Sequence, residues 1–347
     1  MSGPPPPIAA VRLAVRAALV ENHLVGARVL VACSGGADSL ALAAAAGFEV
    51  PRGGGSVGAV TVDHRLQPHS GQVAYAASQA CERLGVFPAT VVAVDVHVRS
   101  SGVEDAARTA RSDAFVEVAQ EHGAKAVLLG HTRDDQAEQV LLGLVRGSGA
   151  RSLSGMPRAR DLVGADNLAA AGSPAADGDP ALTLLRPFLG LSRQVTQDAC
   201  VAAGVDPWHD PHNDDDRFTR VRARHALADL HERLGPSVGA ALARSADLLR
   251  VDADALDELA DTAYQDLGPT PWSLARLADY PTALRTRLWQ RMATRAGSPP
   301  GSMAAAHLWA VDELYTNWHG QGPIDVPGGV RIHRANGLIW PQARPAG

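Results

Sequence analysis

Short apolar runs alternate with helical patterns through the first half of the chain. Four runs are continuously apolar and rich in β-branched residues, which favours strands. They lie at residues 27–33, 57–63, 89–96 and 125–130. Helical spacing of apolar residues follows each run, at 38–46, 71–85, 103–122 and 134–146. Continuous apolar strands alternating with helices are typical of a parallel sheet covered on both faces, with ligands bound beyond the carboxyl ends of its strands.

The rest of the chain predicts further helices and one loop. The stretch after the prolines at 4–7 reads as an amphipathic helix, because charged residues interrupt it, and it lacks the pattern of a signal peptide. Residues 161–181 are rich in Ala, Gly, Asp and Pro and are predicted to form a mobile loop. Further helices are predicted at 192–204, 218–264, 281–296 and 302–317, and a hairpin at 326–333.

These patterns divide the chain into three parts. We expect an α/β domain with a Rossmann-like parallel sheet, helices on both of its faces, over residues 1–217. A helical linker over 218–264 and a smaller, mostly helical C-terminal domain over 265–347 follow.

Composition limits the class of protein. With 347 residues, 46% of them hydrophobic, the chain can bury a sizeable core. No stretch approaches eighteen apolar residues, which argues against a spanning helix. Its three cysteines have neither redox nor metal-ligand spacing, so a cytoplasmic protein with free thiols is expected. The net charge of −5 argues against a uniformly basic nucleic-acid binder but leaves room for local basic patches.

The glycine-rich segment after the first predicted strand is the main candidate for chemistry. It reads Ser34-Gly35-Gly36-Ala37-Asp38-Ser39 and leads into a helix. Glycines let the backbone approach an anion, and amides at a helix start point toward it. The lysine of a Walker loop is missing, so the loop belongs to another class. The serines can donate to phosphate, whereas Asp38 needs a bridging Mg²⁺. The alternative is a capped strand-to-helix turn.

A second acidic motif follows the fourth predicted strand. Asp135 and Glu138 are three residues apart and share a helix face, where they could hold an ammonium group and accept its proton. The sequence does not decide which of the two is the base. His131, just before this helix, could contact a nucleotide phosphate or ribose. For Asp134 we favour the alternative that an acid in a first helical turn complements the dipole.

The loop at 34–39 resembles the PP-loop of N-type ATP pyrophosphatases. Other motifs occur in the order seen in the tRNA(Ile)-lysidine synthetases, also called synthases. They are Val62-Asp63-His64, the segments 107–111 and 131–138, Arg146-Gly147-Ser148-Gly149, Leu153-Ser154-Gly155-Met156, Arg186-Pro187-Phe188 and the segment 208–213. The resemblance is good over residues 25–230 and weak beyond them.

The resemblance implies a reaction in two steps. ATP adenylates the C2 oxygen of the wobble cytidine in an isoleucine tRNA with a CAU anticodon, releasing pyrophosphate. Free L-lysine then displaces AMP, and lysidine forms. The resemblance also implies roles: ATP binding by Ser34, Gly35, Gly36, Ala37, Asp38, Ser39, His64 and His131, a phosphate clamp at Arg111, Mg²⁺ binding at Asp38, and lysine binding and deprotonation by Asp135 and Glu138.

Candidate tRNA contacts are arginines. The cluster consists of Arg217, Arg220, Arg222 and Arg224. If it is helical, Arg217, Arg220 and Arg224 lie on one side and could follow phosphates, or one of them could reach the active site. The alternative is a solvated charged face. The resemblance implies that the small C-terminal domain also binds tRNA.

Other readings of the loop are less consistent with the rest of the chain. A PP-loop tRNA thiolase usually has paired cysteines, and this chain has no C-x-x-C. Amide-forming relatives such as NAD or GMP synthetase show no likeness outside the loop. A nucleotide- or RNA-binding protein without catalysis would not need Asp38, Asp135 and Glu138 together. Oligomeric state is not readable, and a homodimer is compatible with the sequence.

Overall fold

The computed structural model describes residues 3–65, 69–94, 103–147, 149–162 and 182–344, with side chains of residues 103–105, 107 and 108 left out. The described residues form two compact units. The first holds residues 3–142, 155–162 and 182–244, and the second holds 143–154 and 245–344.

The first unit contains the predicted parallel sheet. Its strands are β1 (Arg28–Ala32), β2 (Ser56–Asp63), β3 (Ala89–Ala93), β4 (Ala126–Leu128), β5 (Ala159–Leu162) and β6 (Leu182–Leu185). Their order is β3-β2-β1-β4-β6-β5, and every neighbouring pair is parallel except β5 with β6. The predicted fold class is therefore confirmed, although β5 and β6 were not predicted.

The helices follow the predicted pattern closely. They are α1 (Pro6–Glu21), α2 (Ala37–Arg52), α3 (Ser70–Arg83), α4 (Val103–His122), α5 (Arg133–Val145), α6 (Ala150–Leu153), α7 (Arg193–Ala203), α8 (Thr219–Leu234), α9 (Val238–Leu267), α10 (Leu274–Leu277), α11 (Thr282–Arg295) and α12 (Ala305–Thr316). Within the described ranges, no helix is long and apolar enough to cross a membrane.

Two predicted segments are only partly described. Residues 163–181 of the predicted mobile loop lie outside the described residues, and its first two residues, Asp161 and Leu162, end β5 instead. Residues 95 and 96 of the third predicted strand also lie outside them. The long helical segment 218–264 is divided into α8 and α9 near Gly235, whose φ of 97° favours glycine.

Both faces of the sheet are apolar, because side chains of successive strand residues point to opposite sides. Val29 and Val31 of β1 share a core cluster with residues of α1, α2 and α7. Leu30, between them, belongs to a separate cluster with Phe115 and Val118 of α4. Burial on both faces explains why the strands read as continuous apolar runs.

The second unit adds a small antiparallel sheet to the helices expected there. Its strands are β7 (Trp272–Ser273), β8 (Ile324–Val326), β9 (Val330–Ala335) and β10 (Leu338–Ala343), in the order β7-β10-β9-β8. Of this sheet, the sequence pattern predicts only the β8–β9 hairpin. The sequence pattern does not predict β10 because Pro341 interrupts it. The sheet tolerates this proline because β7 pairs with β10 only at Leu338 and Ile339.

A buried ion pair fixes two helices of the second unit. Arg285 donates from Nε and Nη2 to the two carboxylate oxygens of Asp312, at 2.9 and 3.0 Å. Trp289 donates its indole N–H to the same carboxylate at 2.9 Å. Both charged residues are buried among the apolar side chains of this unit.

We expect Asp312→Ala to destabilise the protein by about 3–5 kcal/mol, because it leaves the Arg285 guanidinium buried and unpaired. Calorimetric unfolding of the intact chain measures the change. Asp325→Ala is the matched control, since Asp325 forms exposed pairs with Arg331 and Arg344 and its loss should matter little. Equal effects of the two substitutions would contradict the assignment.

Candidate active site

A cavity of about 820 Å³ opens in the first unit at the carboxyl ends of β1, β2 and β4. This is the sheet edge at which the strand pattern predicts a ligand. The predicted site residues that line it are Ser34, Gly36, Ala37, Asp38, Ser39, His64, Arg111, His131, Asp135, Arg220 and Arg224. Gly35, Glu138, Arg217 and Arg222 do not line it. Most of the predicted site is thus brought together, and the four exceptions have identifiable structural reasons.

Gly35 determines the backbone conformation of the loop and its contact with α3. Its φ is 85°, and a Cβ at this position would lie 3.2 Å from Cβ of Ala77 on α3. The Gly35 carbonyl accepts a hydrogen bond of 3.0 Å from the N–H of Trp208. Gly35 is therefore needed for a backbone conformation and a close approach, while the neighbouring loop residues face the cavity.

Ser39 is used inside the loop. Its hydroxyl donates to the carbonyl of Gly36 at 2.9 Å and accepts from the N–H of Ser34 at 3.2 Å. These bonds close the loop into a compact turn before a ligand is bound. The sequence predicts Ser39 as a phosphate donor, and the structure shows that this hydrogen is already engaged.

Gly130 brings the two chemical motifs into contact. It follows β4, and a Cβ there would lie 2.8 Å from the backbone carbonyl of Asp38 and 3.1 Å from the N–H nitrogen of Ser39. Only a residue without a side chain allows the turn after β4 to approach the start of α2 so closely. His131 and Asp135 thereby line the same cavity as the glycine loop.

Arg193, the first residue of α7, links three carboxylates. Its Nη2 donates to Asp135 at 2.7 Å and its Nη1 to Glu138 at 3.4 Å. Its Nε lies 3.5 Å from a carboxylate oxygen of Asp38. Arg224 of α8 also donates to Glu138, at 2.9 Å. We call these five residues the Arg193 cluster.

Within this cluster the carboxylates differ in their surroundings. Burial by itself would raise the pKa of Asp135, but Arg193 and two hydrogen bonds from Thr132, at 2.7 and 2.8 Å, hold that pKa below its ordinary value. For Asp38 burial prevails and raises the pKa, although Thr196 donates a hydrogen bond to it. Asp135 is therefore a stable anion, whereas Asp38 lacks full compensation.

Glu138 differs from Asp135 in its access to the cavity. Its side chain is 4% exposed, and its carboxylate lies against Arg193 and Arg224. The two acids share a helix face as predicted, but only Asp135 lines the cavity.

The two predicted histidines are neutral at neutral pH. Burial lowers the pKa of His131 to about 4, and burial together with the charge of Arg111 lowers the pKa of His64. In each ring Nδ1 is buried and has no hydrogen-bond partner in the described part of the chain. Asp63, next to His64 in the sequence, caps a turn, because its carboxylate accepts a hydrogen bond of 2.9 Å from the N–H of Arg65. Both uncharged rings line the cavity.

The arginine cluster is divided by the start of α8. Arg220 and Arg224 lie in the helix and line the cavity. Arg217 precedes the helix, so the condition for a shared side with Arg220 and Arg224 is not met at this residue, and Asp215 binds both its N–H and its guanidinium, the latter at 2.6 Å. Arg222 donates to the carbonyls of Asp216 and Arg217. Both residues therefore hold the turn that leads into the helix.

Sequence reasoning missed Arg193. An arginine at the first position of a helix opposes the helix dipole, and this anomaly could have indicated acidic partners. Trp208 is 38% exposed and lines the cavity. Its position follows from the backbone hydrogen bond to Gly35, which pattern reading does not reveal.

We expect Gly35→Ala to destabilise the ligand-free protein by about 1–2 kcal/mol, because alanine is strained at positive φ. Gly36→Ala is the matched control: Gly36 has a φ of −75° and ψ of 164°, and its added Cβ would meet nothing closer than 3.7 Å. Thermal unfolding without nucleotide compares the two. A loss of stability as large in Gly36→Ala would refute the role given to Gly35.

Comparison with known proteins identifies two families of domain in the chain. Residues 11–231 match the family model described as a PP-loop domain, and residues 273–340 match the one described as the TilS substrate binding domain. The first match includes every residue that lines the cavity.

Curated relatives are similar to the chain over nearly its whole length. A tRNA(Ile)-lysidine synthase from Thermobifida fusca is 48% identical and covers 98% of both chains. One from Streptomyces coelicolor is 44% identical over 97% of this chain and 98% of its own. One from Bifidobacterium longum subsp. infantis is 36% identical over 92% and 88%.

A solved structure shows the same fold at low sequence similarity. It is a U34-tRNA thiolase, NcsA, from Methanococcus maripaludis, with a TM-score of 0.53 and 16% identity, covering 70% of this chain and 80% of that one. The likeness concerns the fold alone.

Proposed function

The chain belongs to the tRNA(Ile)-lysidine synthase family, and from this membership and the geometry of its site we propose how the reaction is divided among its residues. The enzyme uses ATP to join L-lysine to C2 of the wobble cytidine of an isoleucine tRNA with a CAU anticodon, giving lysidine, AMP and pyrophosphate. One observation carries the assignment of residues: most of the glycine loop lines the same cavity as Asp135, Arg193 and Arg224.

The loop wall of the cavity is the proposed ATP site. The segment from Ser34 to Ser39 receives the phosphates that leave as pyrophosphate, with backbone amides at the start of α2 directed toward them. Arg111, also in the lining, is suited to clamp a phosphate bidentately. The neutral rings of His64 and His131 also line this wall and are proposed to contact the nucleotide. About 820 Å³ is enough for a nucleotide and part of a second substrate.

Asp38 fits a role as the protein ligand of Mg²⁺. Its carboxylate lines the cavity beside the loop, and both burial and the charge of Asp135 raise its pKa, so an added cation would stabilise the anion. Among the described residues no group of three or more candidate ligands is placed to hold a metal. This agrees with Mg²⁺, which often takes one or two carboxylates and completes its shell with water and substrate phosphates. When bound, the ion would neutralise phosphate charge.

Asp135 is the proposed contact for the lysine ammonium. It lines the cavity, remains charged because its pKa is lowered, and adjoins the loop through Asp38. Glu138 does not line the cavity, and it contributes to the lysine subsite by holding the guanidinium groups of Arg193 and Arg224 in position. The free ammonium has an ordinary pKa of about 10.4, and we propose that Asp135 or Glu138 accepts a proton from it before the amine attacks the adenylated carbon. Because the lysine side chain is held beside the reacting carbon, the attack by its amine is effectively unimolecular.

The tRNA is proposed to meet both parts of the protein. Arg220 and Arg224 bring positive charge to the cavity rim, while exposed Arg217 and Arg222 can follow phosphates outside it. The indole of Trp208 offers a surface on which an unstacked cytidine can stack. We propose residues 1–217 as the catalytic domain, 218–264 as a helical linker and 265–347 as a tRNA-binding domain, in line with the family match at 273–340. For an enzyme that acts on tRNA we also propose a cytoplasmic location.

The proposed reaction is tested with purified protein, radiolabelled lysine, ATP, Mg²⁺ and bulk bacterial tRNA. We expect acid-precipitable label that survives mild alkaline deacylation, because lysine is joined to a base through a carbon–nitrogen bond. Reactions without ATP are the control. Label that is lost on deacylation would indicate ordinary esterification, and no label at all would refute lysidine formation.

We expect Asp135→Asn to lower lysine transfer by about a hundredfold or more while ATP affinity changes only a few-fold, since the substitution removes the charge that meets the ammonium. Asp134→Asn is the matched control, because the hydrogen bond that the Asp134 carboxylate accepts among the described residues comes from the backbone N–H of Arg193, at 2.9 Å, and an amide oxygen can replace the carboxylate oxygen there. Transfer and equilibrium nucleotide binding are measured on the same preparations. An equal loss of ATP affinity would show that Asp135 acts in the nucleotide site.

A further inference from the structure

The carboxylate of Asp135 is already engaged by hydrogen-bond donors of the protein. An ionised carboxylate offers about four acceptor positions, two on each oxygen. Oδ2 accepts both the N–H and the hydroxyl of Thr132, at 2.7 and 2.8 Å. Oδ1 accepts Nη2 of Arg193 at 2.7 Å. Donors in the described part of the chain thus take three of these positions, and the remaining one lies on Oδ1.

This remaining position belongs to the oxygen on the cavity side. Thr132, which holds Oδ2, is fully buried. Arg193, which contacts Oδ1, lines the cavity, and Asp135 lines it as well, with 15% of its side chain exposed. A ligand in the cavity therefore meets Oδ1 beside the guanidinium of Arg193.

The guanidinium of Arg193 is held from several directions. Nη1 lies 3.4 Å from the buried carboxylate of Glu138, and Nε lies 3.5 Å from that of Asp38. The backbone N–H of Arg193 donates to Asp134 at 2.9 Å, which fixes the start of α7 against the start of α5. A ligand would have to break the side-chain contacts together to displace Arg193. The space between the three carboxylates is therefore occupied by a resident guanidinium.

These contacts distinguish between two kinds of organic cation. The Arg193 cluster has three carboxylates and two guanidiniums, so its excess negative charge can balance one further cation. An ammonium is a compact charge, and one of its N–H groups is enough to reach a single acceptor position. A guanidinium is a rigid fork that pairs best with two acceptor oxygens side by side. At Asp135 the second oxygen is taken by Thr132.

We propose that Arg193 is a specificity-determining residue of the lysine subsite, because its guanidinium fills the place that an arginine ligand would need. Lysine binds through its ammonium at Oδ1 of Asp135, whereas arginine and other guanidino compounds are excluded. This inference rests on the proposed lysine subsite and adds the residue that decides which cation enters it. Arg193 makes and breaks no bond, so its effect is on the selection and orientation of the amine.

Replacement of Arg193 by alanine should reverse the selection. The variant lacks the guanidinium that Asp38, Asp135 and Glu138 share, so a fork-shaped cation can enter between them. Lysine is still attracted by the carboxylates, but its ammonium can settle where the guanidinium was, away from the reacting carbon. We therefore expect kcat for lysine transfer to fall about a hundredfold while the apparent affinity for lysine changes only a few-fold.

The test measures arginine as a competitor of lysine transfer and methylguanidinium as a rescuing agent, in the unmodified protein and in Arg193→Ala. Arginine should compete at least about tenfold more strongly in the variant, because its fork finds free carboxylate oxygens there. Methylguanidinium should restore part of the lost kcat in the variant, because it replaces the missing group, and should not accelerate the unmodified protein. Equal competition by arginine in the two proteins, or a variant that methylguanidinium does not rescue, would overturn the proposal.

Arg224→Ala is the matched control. Arg224 belongs to the same cluster and donates to Glu138 at 2.9 Å, but its removal frees no position on Asp135. Arginine should therefore remain a poor competitor in this variant, and admission of arginine as in Arg193→Ala would refute selection by the occupied position. Thermal unfolding shows which variants are folded. If Arg193→Ala is not, Arg193→Lys keeps the charge without the fork, and unchanged exclusion of arginine in it would refute the proposal.

Calorimetric binding of lysine and arginine to the tRNA-free proteins separates this inference from the proposed reaction. Preference for lysine in the unmodified protein and its loss in Arg193→Ala would support the inference even if no lysine were transferred to tRNA. Absence of transfer would then contradict the proposed function alone. Conversely, an unmodified protein that transfers lysine but binds arginine equally well would contradict the role of Arg193 alone.

Discussion

The guanidinium of Arg193 holds together three carboxylates that would otherwise repel one another in a largely buried cavity. Two like charges 4 Å apart repel by about 4 kcal/mol at an effective dielectric constant of 20. Arg193 contacts Asp38 from one helix start and Asp135 and Glu138 from another, at 2.7 to 3.5 Å. The compensation is incomplete at Asp38, whose pKa stays raised. An additional cation would therefore stabilise the carboxylates in this cavity, and the proposed reaction brings two, Mg²⁺ and the lysine ammonium group.

This charge balance requires backbones that approach closely. Gly130 allows the turn after β4 to touch the start of α2, and Gly35 allows the glycine loop to rest on α3. Parallel strands bring these turns to one sheet edge, so that residues far apart along the chain meet there. The parallel sheet brings these turns to the same edge, and the two glycines allow the backbones to approach one another closely. Side chains at either glycine would separate the phosphate loop from its support or from the acidic helix.

The division of the cavity follows from these contacts. The loop side offers backbone amides and two uncharged imidazoles, which suits a nucleotide. The α5 side offers a carboxylate with a lowered pKa, which suits an ammonium group. Arg224 belongs to both the Arg193 cluster and the arginine group of α8, so the proposed lysine and tRNA contacts share a residue.

The sequence by itself determined what depends on local pattern. The apolar runs predicted the four central strands and their helices, and helical spacing placed Asp135 and Glu138 on one face. The ordered motifs pointed to the family that the comparisons confirm. The short strands β5, β6 and β7 gave no such signal, because their pairing depends on partners distant in sequence, and β10 gave none because Pro341 interrupts it.

Only the tertiary structure decided which groups meet. Arg193 reaches Asp135 across 58 residues of sequence, and Glu138 is buried by Arg193 and by Arg224, which lies 86 residues away. Trp208 lines the cavity because its N–H finds the loop carbonyl of Gly35. Local spacing carries no information on such contacts, since chain folding brings the partners together and burial sets their charge. The sequence therefore predicted the chemistry of the site, and the fold determined which of the predicted residues line the cavity.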